Sequence, residues 1–189
     1  QRMKDKDFIN DYLDRYKKSI IETDVSNEII QLKQLLLNLQ KRNNKVLIAG
    51  NGGSAAMASH VSVDFTKQGG IRTVNFNEAD LITCFANDYG YEHWVAKAIE
   101  FYGEKDDVVI LISSSGNSEN MINAAKTAKK LGIYSVTFTG FKVNNPLKQE
   151  GELNFWVDTK AYNIAENTHQ IWLLMLCDLL VGKAEYSAS

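Results

Sequence analysis

The sequence predicts an α/β domain: a doubly wound, five-stranded parallel sheet flanked by helices, with two further helices at the N-terminus. Three observations predict it. From residue 45 onward, short runs rich in β-branched residues alternate with amphipathic helical stretches. One of those runs, Val108-Val109-Ile110-Leu111-Ile112, is apolar at every position, as a strand covered on both faces must be. The junctions after the first and third runs are crowded with glycine and serine, at the place where such sheets receive ligands.

Taken in order, residues 5–42 read as two helices. Phe8, Tyr12, Tyr16 and Ile20 recur at helical spacing, as do Ile29, Leu32, Leu36 and Leu39, and the segment holds no glycine or proline. Strands are expected at Lys45–Ala49, Arg72–Phe76, Asp107–Ile112, Ile133–Thr139 and Leu153–Val157. Helices are expected near 53–67, 78–86, 91–102, 117–131, 143–149 and 161–182. The single proline, Pro146, leaves no Pro-rich linker, so residues 1–189 read as one domain, with 5–42 as its helical extension. Trp172, Leu173, Leu174, Leu176, Leu179 and Leu180 make the last helix apolar on most sides, which predicts packing against another subunit in a dimer or tetramer.

Composition excludes several classes. Twenty-one basic and 23 acidic residues give a net charge of −2 with no basic cluster, so no nucleic-acid partner is expected. No run approaches 18 apolar residues, so no membrane span is expected. The charged stretch Gln1 to Asp14 lacks the apolar core of a signal peptide, and a start at Gln1 reads as trimmed. Cys84 and Cys177, far apart and each amid apolar residues, suggest a reducing cytoplasm and two buried small hydrophobes.

The chemistry is concentrated in two loops. Gly50-Asn51-Gly52-Gly53-Ser54 follows the first strand and opens a helix, whose free N–H groups and positive dipole end favour an anion. Ser113-Ser114-Ser115-Gly116-Asn117-Ser118 follows the third strand and offers four hydroxyls, again before a helix. Together they predict a neutral nest for a phosphate. The plainer alternative is a tight turn and a set of serine helix caps. Gly50-x-Gly52-x-x-Ala55 also meets a loose dinucleotide fingerprint, but the acidic partner about 20 residues on is poorly met. No nucleotide cofactor is expected, and the absence of Gly-Lys-Ser/Thr excludes a P-loop.

The strand Val46-Leu47-Ile48-Ala49 with Gly50-Asn51-Gly52-Gly53-Ser54-Ala55-Ala56, then Ala86-Asn87-Asp88-Tyr89-Gly90-Tyr91, then Ile112 to Ser118, resembles the sugar isomerase (SIS) domain in its phosphoheptose isomerase branch. The resemblance covers nearly the whole chain. It implies a homotetramer that converts sedoheptulose 7-phosphate to D-glycero-D-manno-heptose 7-phosphate for lipopolysaccharide or capsule heptose. It implies that Ser54, Ser113, Ser115 and Ser118 hold the phosphate, with Gly52, Gly53 and Ser114 in the same loops. Asn51 and Asp88 are implied to line the sugar pocket.

Aldose–ketose isomerisation needs a base for a proton beside a carbonyl, and an acid or metal for the developing oxyanion. In the family, a His-x-x-x-Glu pair after the first loop, and a Gln and a distal His on the final helix, do this work and in some members bind zinc. Here His60 matches the first His and Asp64 stands at the Glu. On the final helix one register places Glu166 at the Gln and Leu174 at the distal His; the other places Ala165 and Leu173 there. A substitute cluster of His60, Asp64, Glu166 and His169 would suit Zn²⁺, Ni²⁺ or Fe²⁺. Asp64, Glu166 and His169 are the catalytic candidates, and His93, beside Trp94, reads as structural or as reaching a neighbouring subunit's site. An isomerase is the leading reading. A non-catalytic phosphosugar-binding regulator or adaptor, and an isomerase of another phosphosugar, stay open beside it.

Overall fold

Five parallel strands form one sheet in the order β2-β1-β3-β4-β5: β1 Val46–Gly50, β2 Thr73–Val74, β3 Val108–Ser113, β4 Tyr134–Thr139 and β5 Leu153–Trp156. This is a computed structural model, and it describes residues 3–188. Gln1, Arg2 and Ser189, with the part of the N-terminal reading that falls on them, lie outside the described residues. Eight α-helices surround the sheet among those residues: α1 Asp5–Tyr16, α2 Ser26–Lys41, α3 Gly53–Lys67, α4 Ala79–Tyr89, α5 Trp94–Tyr102, α6 Glu119–Lys130, α7 Pro146–Glu150 and α8 Tyr162–Val181. A π-helical turn, Lys17–Ile21, joins α1 to α2.

Alternating strand residues build two cores. Val46, Ile48, Val108, Ile110 and Ile112 face one layer, where they meet Leu32 and Leu36 of α2, Val61 and Phe65 of α3, and Trp172 and Leu176 of α8. Leu47, Ala49, Val109 and Leu111 face the other, against Val95 and Ile99 of α5 and Met121 and Ala125 of α6. With helices on both faces, β1 and β3 have no solvent side, which explains their unbroken apolar sequence. Each fully buried Leu, Ile or Phe contributes roughly 1.5–3 kcal/mol, so these two layers fix the strand ends that carry the loops.

Two boundaries, and the burial of α1 and Cys84, differ from expectation for visible reasons. The strand expected over Arg72–Phe76 pairs only at Thr73–Val74, on the sheet edge. Beyond it Asn75 donates to the Ser62 hydroxyl (2.7 Å) and Asn77 to the Ala55 carbonyl (2.7 Å), so the chain leaves the sheet for α3. Residues 91–93 form a turn after Gly90 (φ 90°), and helix begins only at Trp94. Phe8 stacks on Tyr12 and Tyr12 meets Tyr16 edge-on along α1, yet no residue of that helix is buried. Cys84 is exposed, contrary to expectation, because it stands on the outer face of α4 while Leu81, Ile82 and Phe85 turn inward; Cys177 is buried and both thiols are free.

Candidate active site

β1 and β3 lie side by side, with Gly50 opposite Ile112, so the two loops leave neighbouring strands at their carboxyl ends. The chain turns to one side of β1 to make β2 and to the other to make β3, which places this crevice at the topological switch point. In the first loop, Gly52 adopts φ 55° and ψ −122°, a conformation that only glycine takes without strain. Ser54 is buried at the start of α3, and its N–H donates to the Asn51 carbonyl (3.0 Å).

The second loop folds around its own hydroxyls. Gly116, at φ 67°, donates its N–H to the carbonyl (3.1 Å) and hydroxyl (3.2 Å) of Ser113. The Ser113 hydroxyl donates to Ser118 Oγ (3.4 Å), and Asn117 N–H donates to Ser115 Oγ (3.2 Å). Ser118 stands at the N-cap of α6 without making a side-chain cap bond, and the buried Ser114 hydroxyl has no partner. Helix capping therefore does not account for these serines; two hydroxyls keep unused capacity in a loop with no lysine or arginine. Asn145 packs against Gly116 and caps α7 by accepting from Lys148 N–H (2.9 Å), bracing the loop from behind.

A reciprocal amide pair ties the loops together: Asn51 Nδ2 donates to Asn120 Oδ1 (2.9 Å), and Asn120 Nδ2 donates to Asn51 Oδ1 (2.8 Å). The Tyr91 hydroxyl also donates to Asn51 Oδ1 (3.1 Å). Asn51 thus spends its amide on joining the loops, and Asn120 and Tyr91 are site residues that the sequence reading did not single out. Asp88 sits exposed on α4, accepting from Asn87 Nδ2 (3.0 Å) and close to Cys84 Sγ (3.7 Å). Both of these neighbours lie on its own helix rather than in either loop. His93 precedes α5, half-exposed, with Nε2 3.7 Å from Glu92.

The carboxylate and imidazole candidates lie along the seam where α3 and α8 run side by side. At its head, the Glu166 carboxylate lies 2.5 Å from where a Cβ on Gly53 would sit, directly beside the first loop. Further along, His60 Nε2 lies 3.3 Å from Asp64 Oδ2, and Gln170 Nε2 lies 3.2 Å from His60 Nδ1. Cys177 Sγ then donates to the Asp64 carbonyl (3.5 Å). Gln170 was missed in the sequence, although it stands one helical turn after Glu166 and so shares its face.

His169 does not join them. It has no exposed surface, packs on Phe138 and Trp172, and bonds through Nε2 to the Thr139 carbonyl (2.9 Å). Burial lowers its pKa from 6.5 to about 4, so the ring is neutral, and its Nδ1 has no partner. The turn of α8 explains this: Glu166 and Gln170 face α3, and His169 faces β4. The expected metal shell of His60, Asp64, Glu166 and His169 is therefore not assembled. Among the described residues no three His, Cys, Asp or Glu side chains gather to hold an ion. Ala165 and Leu173, at one register of the family's Gln and distal His, are wholly buried in apolar packing; Leu174, from the other register, is half-buried.

A fold of this order with two phosphate-type loops at its switch point defines a class, and comparison agrees: the chain belongs to the SIS domain family, whose model matches residues 8–140. Within that class its relatives are of one kind. It is 34% identical over 167 residues to a phosphoheptose isomerase of Fusobacterium nucleatum subsp. nucleatum, covering 86% of each chain. It is 33% identical to one of Thermodesulfovibrio yellowstonii, covering 88% of this chain and 85% of the relative. The structure of a phosphoheptose isomerase from Francisella tularensis superposes with a TM-score of 0.88 at 25% identity, over 96% of this chain and all of that one.

Proposed function

We propose that this protein is a phosphoheptose isomerase, interconverting sedoheptulose 7-phosphate and D-glycero-D-manno-heptose 7-phosphate. One observation carries the reading: a glycine loop and a serine loop, both neutral, are tied together by Asn51 and Asn120, and the first of them opens the helix that presents His60 and Asp64. Ser54, Ser113, Ser115 and Ser118 hold the phosphate, and Ser114 supplies a buried donor. Asp64 takes the proton from C1 of the ketose. The C–H electron pair becomes the enediolate double bond, and the carbonyl pair moves to O2. Glu166 carries the O1 proton to O2, and Asp64 returns its proton to C2 as the C1 carbonyl forms.

The names of the curated relatives support the same substrate class. Two free thiols fit a cytoplasmic setting, and no described helix is long and apolar enough to cross a membrane. Self-association belongs to the reading. Phe8, Ile9 and Leu13 of α1 are each more than half exposed. An apolar groove of about 780 Å³ runs past Ile21, Ile30, Ile171 and Met175 and offers a surface to a second copy.

Purified protein is expected to equilibrate the two heptose phosphates, followed by NMR of the sugar. Asp64→Asn should lower kcat by about 10²- to 10⁴-fold with KM little changed. Undiminished turnover in that variant removes Asp64 from the mechanism. The burial of Ala165 and Leu173 favours a second reading, a regulator that binds phosphosugars without reacting them. Calorimetric binding with no turnover would support it, and turnover by the unaltered protein eliminates it.

A further inference from the structure

We infer that Gln170 is a positioning residue, which fixes the tautomer of His60 and through it aims the Asp64 carboxylate. The inference rests on the isomerase reading for its catalytic consequence but not for its geometry. The amide nitrogen of Gln170 only donates, so its 3.2 Å approach to His60 Nδ1 makes that nitrogen an acceptor. A neutral imidazole carries one N–H, which must then sit on Nε2, the atom 3.3 Å from Asp64 Oδ2. The opposite tautomer would set a lone pair against the carboxylate and leave two donors facing one another at Nδ1.

The chain runs amide to imidazole to carboxylate, from α8 to α3. Asp64 Oδ2 is engaged by His60, and Oδ1 is left for the carbon-bound proton. His60 and Asp64 side chains are 49% and 31% exposed, so a sugar held in the loops can reach this pair. The same order of parts, a carboxylate and an imidazole oriented by a third group, recurs wherever a base must be held in one direction. Here the third group comes from the helix that carries Leu174 or, in the other register, Leu173 where the resemblance places a distal histidine.

Two-bond ¹H–¹⁵N correlation spectra of ¹⁵N-histidine protein report each ring's tautomer, with His60 assigned through His60→Gln. The unaltered protein is expected to show His60 protonated at Nε2. In Gln170→Leu the signal should move to a mixture of tautomers, and in the isosteric Gln170→Glu, whose carboxylate accepts, Nδ1 should gain a proton beside that on Nε2, giving an imidazolium between two carboxylates. With sedoheptulose 7-phosphate, Gln170→Leu should lose about tenfold in kcat with KM within about twofold, the effect of one oriented hydrogen bond. His60 protonated at Nδ1 in the unaltered protein, or a tautomer indifferent to residue 170, overturns the inference. An inactive protein whose His60 tautomer still follows Gln170 overturns the isomerase reading and leaves the positioning role standing.

Discussion

The phosphate loops and the α3–α8 seam meet at Gly53, yet they are built from different materials. The loops are backbone devices: positive-φ glycines, N–H groups and short hydroxyls, all contributed within a few residues of a strand end. The seam is a side-chain device, in which Gln170 reaches His60 across a sequence separation of 110. Anchoring a phosphate needs a shape that a local peptide can hold by itself. Moving a proton needs two side chains in one direction, and that is fixed only by the packing of one helix on another.

The loops should therefore break at single backbone positions, which gives the largest expected effect. Gly116 sits at φ 67°, and any Cβ there would overlap Asn145, the residue that caps α7 and donates to Thr139 Oγ1 (2.9 Å). Gly116→Val is expected to destabilise by more than about 3 kcal/mol, adding overlap to the left-handed strain of a β-branched residue. Gly52→Ala is its control. Gly52 also has positive φ but nothing within 4 Å of a Cβ, so only the backbone strain of about 1–3 kcal/mol applies. Urea melts should show Gly116→Val the more destabilised of the two; equal losses would mean that Asn145 does not brace the loop.

This division explains what the sequence disclosed. Strand number, parallel order and both loops were readable, because strand burial on two faces and glycine-serine junctions leave local marks, as in Val108–Ile112 and Gly50–Ser54. The role of Ser118 was half readable: its place before α6 suggested a cap, and only the structure shows the hydroxyl uncommitted. His169 was misread because spacing put it near Glu166 without saying which way α8 is turned. Helical spacing assigns neighbours on one face, and residues three apart still diverge when the helix has a sheet on one side and α3 on the other. Asn120 and Gln170 were given no role by any motif, and Tyr91 ended one without a role of its own; their roles arise from pairings 69, 110 and 40 residues apart.

The inward face of α8 supplies the next effect. His169 is neutral in the folded chain because burial lowers its pKa to about 4, whereas the unfolded chain titrates near 6.5. Below 6.5 the unfolded state takes up a proton that the folded state refuses, so this contribution is whole above that pH and shrinks as pH falls towards 4. Between pH 7.5 and 5 the loss should be about 2 kcal/mol, at 1.36 kcal/mol per unit below 6.5. His169→Gln keeps a donor for the Thr139 carbonyl and has nothing to titrate, so its pH slope over this range should flatten. A variant with an undiminished slope would place the acid sensitivity elsewhere, and isomerase activity should survive the change, since His169 stands outside the seam.

The smallest expected effect separates anchor from chemistry most directly. The Ser118 hydroxyl caps nothing and receives only a long bond from Ser113, so removing it should leave stability within about 0.5 kcal/mol. Its loss should instead be felt by a bound phosphate dianion, where one hydrogen bond to a charged group contributes about 1.5–3 kcal/mol. Ser118→Ala is therefore expected to raise KM for sedoheptulose 7-phosphate by about tenfold or more at nearly constant kcat, because the phosphate is held equally in the ground and transition states. Inorganic phosphate should weaken as a competitive inhibitor by a similar factor. A fall in kcat without a rise in KM would show that the loops do more than hold, and would blur the line between them and the seam at the place where Glu166 touches Gly53.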